Sequence, residues 1–172
     1  MDGEQRREEI LKELQKERRP ISGAYLSKYL DVTRQVIVQD IALLRASGYD
    51  ILATARGYIF NQDTGSMIQR VIWVKHTSDQ SEDELNIIID NGGRVRNVII
   101  MHPIYGELVA DLMLKTRREV KQFVEKLEAT KATTLLSLTE GIHMHTIEAS
   151  TEEELDSIEE ELNARGYLVT HA

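Results

Sequence analysis

The stretch LSKYLDVTRQVIVQDIALLRASGYDILATARGYIF, residues 26–60, carries its punctuation in a fixed order. Upstream, Ile21, Tyr25, Leu26 and Leu30 recur at helical spacing, and Ser22 is a type that caps a helix start. Asp31 and Val32 interrupt, Thr33 offers a second cap, and Ile37, Ile41 and Leu44 repeat at three and four residues until Gly48 stops the run. Two short helices joined by so tight a turn, with an apolar turn residue, form the pattern of a helix-turn-helix. YDILATARGYIF then predicts two short strands around a turn near Arg56 and Gly57, the place of a wing. If Ile37, Ile41 and Leu44 face inward, Arg34, Gln35, Val38 and Gln39 face outward beside Thr33. Arg and Gln suit bidentate contacts to guanine and adenine, and Arg56 and Tyr58 on the wing could reach phosphates or a minor groove. The plainer alternative is a helical hairpin with a solvated face.

Charge divides the chain at the same point. Residues 1–60 hold ten Lys and Arg against nine Asp and Glu, whereas residues 61–172 hold eleven against twenty. The acidity belongs to the second part, and the first remains compatible with a phosphate backbone. The absence of Cys excludes a disulfide framework and any thiolate zinc site, and suits a reducing compartment. The start MDGEQRREEILKEL is charged and predicts a first helix with Ile10, Leu11 and Leu14, not a signal peptide. No apolar run approaches the ~18 residues of a membrane span. A soluble, cytoplasmic protein is the expectation.

NQDTGS, residues 61–66, has linker composition, so domains of 1–61 and 66–172 are expected. Beyond it MIQRVIWVKH predicts a strand, SEDELNIIIDNGG a helix, VRNVIIMHP and YGELVADLML two strands, and TRREVKQFVEKLEAT a helix. GIHMHTIEA follows as a strand, TEEELDSIEEELNARG as a helix and YLVTH as a last strand. The fold class is α+β: a winged helix-turn-helix, then an effector domain built as an open-sheet α/β sandwich. HTSDQSEDEL and HTIEASTEEEL repeat a strand, His-Thr and capped-helix order at an offset of 69 residues. Two β-α-β units obeying the same local rules suffice to explain it.

On a strand, His143 and His145 leave the same face and can converge on one point. With His76 and Glu84 they form a donor set suited to zinc or another divalent transition metal. The alternative makes the histidines polar residues on the wet side of a sheet. It also makes Glu84 the far end of a capping box begun by Ser81, as in TEEE at 151–154.

Residues 26–60 resemble the winged helix-turn-helix that begins the biotin repressor and its relatives. Asp31 stands where that turn usually has Gly, and Gln39 where a second Arg is common; the ligase half is missing. Together with HTSDQSEDEL, MHPIYGELVADL and GIHMHTIEA, the whole chain resembles niacin-responsive repressors of NAD biosynthesis, with their three-histidine domain. That resemblance implies a homodimer on double-stranded operator DNA, nicotinic acid as corepressor, and a metal (zinc, nickel or iron(II)) on His76, Glu84, His143 and His145. His102 becomes a candidate effector contact, and His171 has no expected role. Two rivals remain: a repressor for which the metal itself is the signal, and a small metallohydrolase using Glu107 or Asp111 as base. No phosphate-cradling glycine motif occurs, and an enzyme is not expected.

Overall fold

The computed structural model describes residues 1–62, 67–130 and 134–169. The chain divides into two compact units, Met1–Thr64 and Gly65–Ala172. Four residues of the expected linker (63–66) and His171 lie outside the described residues.

In the first unit, α1 spans Gly3–Lys16, α2 Gly23–Tyr29 and α3 Arg34–Ala46. Each start is capped as its sequence requires: Ser22 accepts from the Tyr25 N–H and Thr33 from the Val36 N–H, while Asp2 and Gln5 form a capping box. Asp31 takes the left-handed conformation, φ 53°, that the turn between α2 and α3 demands, and Gly48 takes φ 94° past the end of α3. Strands β1, Ile51–Thr54, and β2, Gly57–Phe60, pair antiparallel as the wing. Ile10, Leu14, Leu26, Ile37, Ile41 and Leu44 close the core; each contributes about 1.5–3 kcal/mol by leaving water.

One inward position of α3 is not apolar. Asp40 is buried, and its carboxylate accepts from Arg6 Nε at 2.5 Å and Nη2 at 3.2 Å, with Arg7 at 3.5 Å. This forked pair ties α1 to α3, and the periodic reading of apolar residues passed over it. Gly57 has a second structural task. At φ 131° an added Cβ would stand 2.3 Å from the Ile21 carbonyl oxygen, so only glycine lets the wing pair with Ile21. That pairing is reciprocal, Ile21 N–H to Tyr58 O and Tyr58 N–H to Ile21 O, both at 2.8 Å.

In the second unit β3 spans Ile68–Lys75, α4 Ser81–Asp90, β4 Arg94–His102, β5 Gly106–Leu114, α5 Arg117–Ala129, β6 Ile142–Ala149 and α6 Glu152–Ala164. The strands run in the order β5-β4-β6-β3, every neighbour antiparallel. Of the expected last strand, the described residues show a bridge, Leu168 opposite Val74; residues 170–172 lie outside them. β6 therefore separates β3 from β4, and β3 separates β6 from the terminal segment. The two sequence-similar stretches fold as interleaved split β-α-β units. Leu85 and Ile88, Val120 and Val124, and Leu155 and Ile158 from the three helices enter one core against Ile72, Val95 and Ile147. Helices thus cover one face of an open sheet.

Asp40→Ala is expected to lower stability by about 2 kcal/mol. That is less than the ~3–5 kcal/mol for breaking a fully buried pair, because the Arg6 side chain keeps 17% of its exposure. Urea denaturation of the full chain against wild type measures it.

Candidate metal centre and nucleic-acid interface

The sheet's irregular points build the histidine site. His76 follows the end of β3, and Glu84 sits one turn into α4. His143 and His145 share a face of β6. All four are buried, with exposures of 6%, 1%, 1% and 3%. The wet-face alternative for the histidines therefore fails. The capping-box alternative for Glu84 fails too. Ser81 is already helical, the capping box here joins Thr77 and Gln80, and the Glu84 carboxylate points at the histidines. At 151–154 the box does form, between Thr151 and Glu154.

Each imidazole is held from behind by a backbone carbonyl. Nδ1 of His76 lies 2.7 Å from Thr77 O, that of His143 2.9 Å from Gly141 O, and that of His145 2.7 Å from Asn97 O. A carbonyl can only accept, so each Nδ1 carries the proton and, in the neutral ring, each Nε2 presents a lone pair. All three lone pairs face Glu84. Nε2 of His76 is 2.5 Å and that of His143 3.7 Å from Oε2, and that of His145 is 2.9 Å from Oε1. Glu84 Oε1, His143 Nε2 and His145 Nε2 are buried without a hydrogen-bond partner. Acceptors crowded in this way need a cation between them, a proton as in the His76–Glu84 hydrogen bond or a metal ion. One donor atom each from His76, Glu84 and His143 lies within 4.8 Å of the others. The nitrogen and oxygen donors and their outward-facing carbonyl partners fit a divalent transition metal.

Charge follows the same geometry. Burial alone would raise the Glu84 carboxyl, yet the three histidines hold it well below its usual range. Burial works to lower His76 and His145, but Glu84 outweighs it and raises both; for His143 burial prevails and lowers it.

Asn97 was not foreseen. The register of β4 against β6 slips between Val95 and Ile99, which frees the Asn97 carbonyl for His145 while its side-chain oxygen accepts from the Thr146 N–H at 2.9 Å. Gly141 was not foreseen either. It takes φ 86°, and an added Cβ would stand 2.4 Å from the His76 carbonyl oxygen. Tyr167 packs its ring edge 5.7 Å from His76 and donates to Asp83 at 2.7 Å; burial and that bond push its phenol up to about 12.

His76, Glu84, His143 and His145 line a cavity of about 390 Å³. Its walls are largely apolar, among them Leu85, Val98, Leu112, Phe123 and Leu136, with Ser78, Ser81, Thr134 and Glu128 as the further polar lining. His102 has no place in it. It sits at the tip of the β4–β5 hairpin, where Nδ1 accepts from the Ile104 and Tyr105 N–H groups and the ring lies against Tyr105. Its Nδ1, turned toward the protein, holds the turn. Glu107 is exposed on β5, and neither it nor Asp111 lines the cavity.

In the first unit Thr33, Arg34, Gln35, Val38 and Gln39 are all exposed on α3, while Arg56 and Tyr58 are half-buried on the wing. The Arg34 guanidinium does not follow the others. It lies over Gly23 beside the Tyr58 ring.

Residues 6–59 match the family model of an HTH domain, and residues 69–171 match that of the 3H domain. The chain belongs to the family of DNA-binding transcription repressors that join these two domains. Its relatives include a protein of Thermotoga maritima named probable transcription repressor NiaR, 42% identical over 166 residues that cover 96% of this chain and 94% of that one. Another is the transcription repressor NadR of Bacillus subtilis, 39% identical over 170 residues, 97% of this chain and 94% of that one.

Loading the chain with zinc or nickel is expected to raise its melting temperature, since a ligand that binds only the folded state stabilises it. Glu84→Gln and His145→Ala should each abolish the rise. Gly141→Ala, which keeps every donor but forces His76 aside, should weaken metal affinity about 10–100-fold, read by competition with a chromogenic chelator.

Proposed function

We propose that the chain represses genes of NAD biosynthesis or niacin uptake, acting in the cytoplasm as a homodimer on double-stranded operator DNA, with nicotinic acid as corepressor. The observation that carries this reading is the meeting of three Nε2 atoms and a carboxylate in the wall of a largely apolar cavity. His76, Glu84, His143 and His145 would hold a divalent transition metal: zinc, nickel or iron(II). Bound there, the ion would supply a Lewis-acidic position for an anionic group. The remaining work falls to the chain's own residues. Phe123, Leu112 and Leu136 offer a flat aromatic ring an apolar seat, and their walls exclude water from its charged end. The names of the two relatives support a repressor, and the second carries the reference to NAD.

On DNA, Gln35, Val38 and Gln39 on the outer face of α3 would read base edges in a major groove, with Thr33 at the helix start. In a two-fold dimer the two recognition helices would stand roughly 34 Å, one helical turn, apart. Nicotinic acid can act as corepressor only by binding the DNA-competent arrangement more tightly, and by linkage DNA then tightens nicotinic acid by the same factor.

Calorimetry tests the reading. Nicotinic acid is titrated into metal-loaded protein, with nicotinamide as control, and again after chelation and in His143→Ala. Saturable binding of the acid that is lost in both altered forms is expected, with an effect on DNA affinity of about 5–150-fold. Equal binding in all three forms would remove the metal from the account. No binding of the acid in any form, with DNA affinity instead following metal concentration, would make the metal itself the signal.

A further inference from the structure

Where the wing meets α3 there is a groove of about 210 Å³ lined by Ser22, Gly23, Arg34, Thr54, Arg56 and Tyr58, among others. It holds two guanidinium-bearing residues and no Asp or Glu. Its floor is preset. The reciprocal Ile21–Tyr58 backbone bonds fix the wing against the start of α2, and Gly57 permits that approach. Arg34 is the first residue of α3, and helical side chains lean toward the N-terminus. At this position the lean carries the side chain past the helix start. Nε and Nη2 accordingly stand 3.8 and 3.9 Å from where a Gly23 Cβ would be, and the Tyr58 ring 3.5 Å from it. The sequence suggested a base reader, but this guanidinium is aimed off the face that carries Gln35, Val38 and Gln39.

We infer that Arg34 is a phosphate clamp: with Arg56, which lines the same groove, it holds one backbone phosphate of the bound duplex at the junction of recognition helix and wing. Sequence reading is then left to Gln35, Val38 and Gln39. A planar fork suits a phosphate's oxygens, the Tyr58 ring limits its swing, and the Ser22 hydroxyl, which accepts from the Tyr25 N–H, keeps its own proton to donate. Such a contact sets where the protein sits on the duplex and carries no sequence information. The inference rests on the DNA-binding reading of the first unit.

The test uses full-length protein, metal-loaded and with nicotinic acid present throughout. One duplex is selected from a random pool by the wild-type protein and a second is its scrambled counterpart; affinities are measured across a salt series. R34Q should weaken both duplexes by the same factor, about tenfold, and reduce the slope of log affinity against log salt by about one for each clamped phosphate. R34K, which keeps the charge, should keep the slope, and Q35A should weaken the selected duplex alone. Loss confined to the selected duplex in R34Q, with its slope unchanged, would make Arg34 a base reader and overturn the inference. So would an R34Q protein that binds both duplexes like wild type. If the wild-type protein selects no duplex at all, the DNA-binding reading itself falls and takes the clamp with it.

Discussion

Three backbone carbonyls decide what the histidines can do. Thr77, Asn97 and Gly141 each turn a C=O toward an Nδ1, which fixes the tautomer and leaves the opposite nitrogen as a lone pair. In a regular sheet those carbonyls would be committed to ladder partners. Each is turned to its ring where the sheet fails: Thr77 follows the end of β3, Gly141 precedes β6, and Asn97 lies where β4 and β6 slip register; Thr77 O also accepts from the Gln80 N–H and Gly141 O from the His76 N–H. The irregularities are therefore the means by which a sheet aims three rings at one carboxylate.

Glu84 is the counterpart that makes the arrangement tolerable. A lone carboxylate at 1% exposure would be costly to ionise; imidazoles that carry a second proton, on Nε2, hold it charged, and a bound cation would take the place of those protons. The apolar cavity beside it keeps the local dielectric low, so every charge placed there is felt strongly. A group that restored the balance of charge would be retained, and one that did not would meet unsatisfied acceptors.

The first unit was legible almost residue by residue because its instructions are local. Caps at Ser22 and Thr33, the positive φ at Asp31 and the spacing of Ile37, Ile41 and Leu44 are all decided within one or two turns. Asp40 was not legible: an acid at an inward position makes sense only with Arg6 and Arg7 beside it, over thirty residues away. In the second unit the histidines and Glu84 could be picked out by type and spacing, yet Ser81 misled as a cap, and the place of His102 at a hairpin tip, away from the cavity, was not foreseen. Asn97 and Gly141 gave no signal, because what they contribute is a backbone carbonyl released by an irregularity of register or turn. Such release depends on strands far apart in the chain and leaves no mark in side-chain pattern.

The interleaving of the two split β-α-β units also sets a timetable. Among the described strands β3 pairs only with β6, so residues 68–75 must wait for residues 142–149 before they have a ladder partner. His76 likewise meets His143 and His145 only after almost 70 further residues have been made. The core of the first unit draws on residues 10–60 alone. On a ribosome, where the chain emerges from its N-terminus, the DNA-binding half can therefore reach its final shape while the half that carries the histidines is still being written.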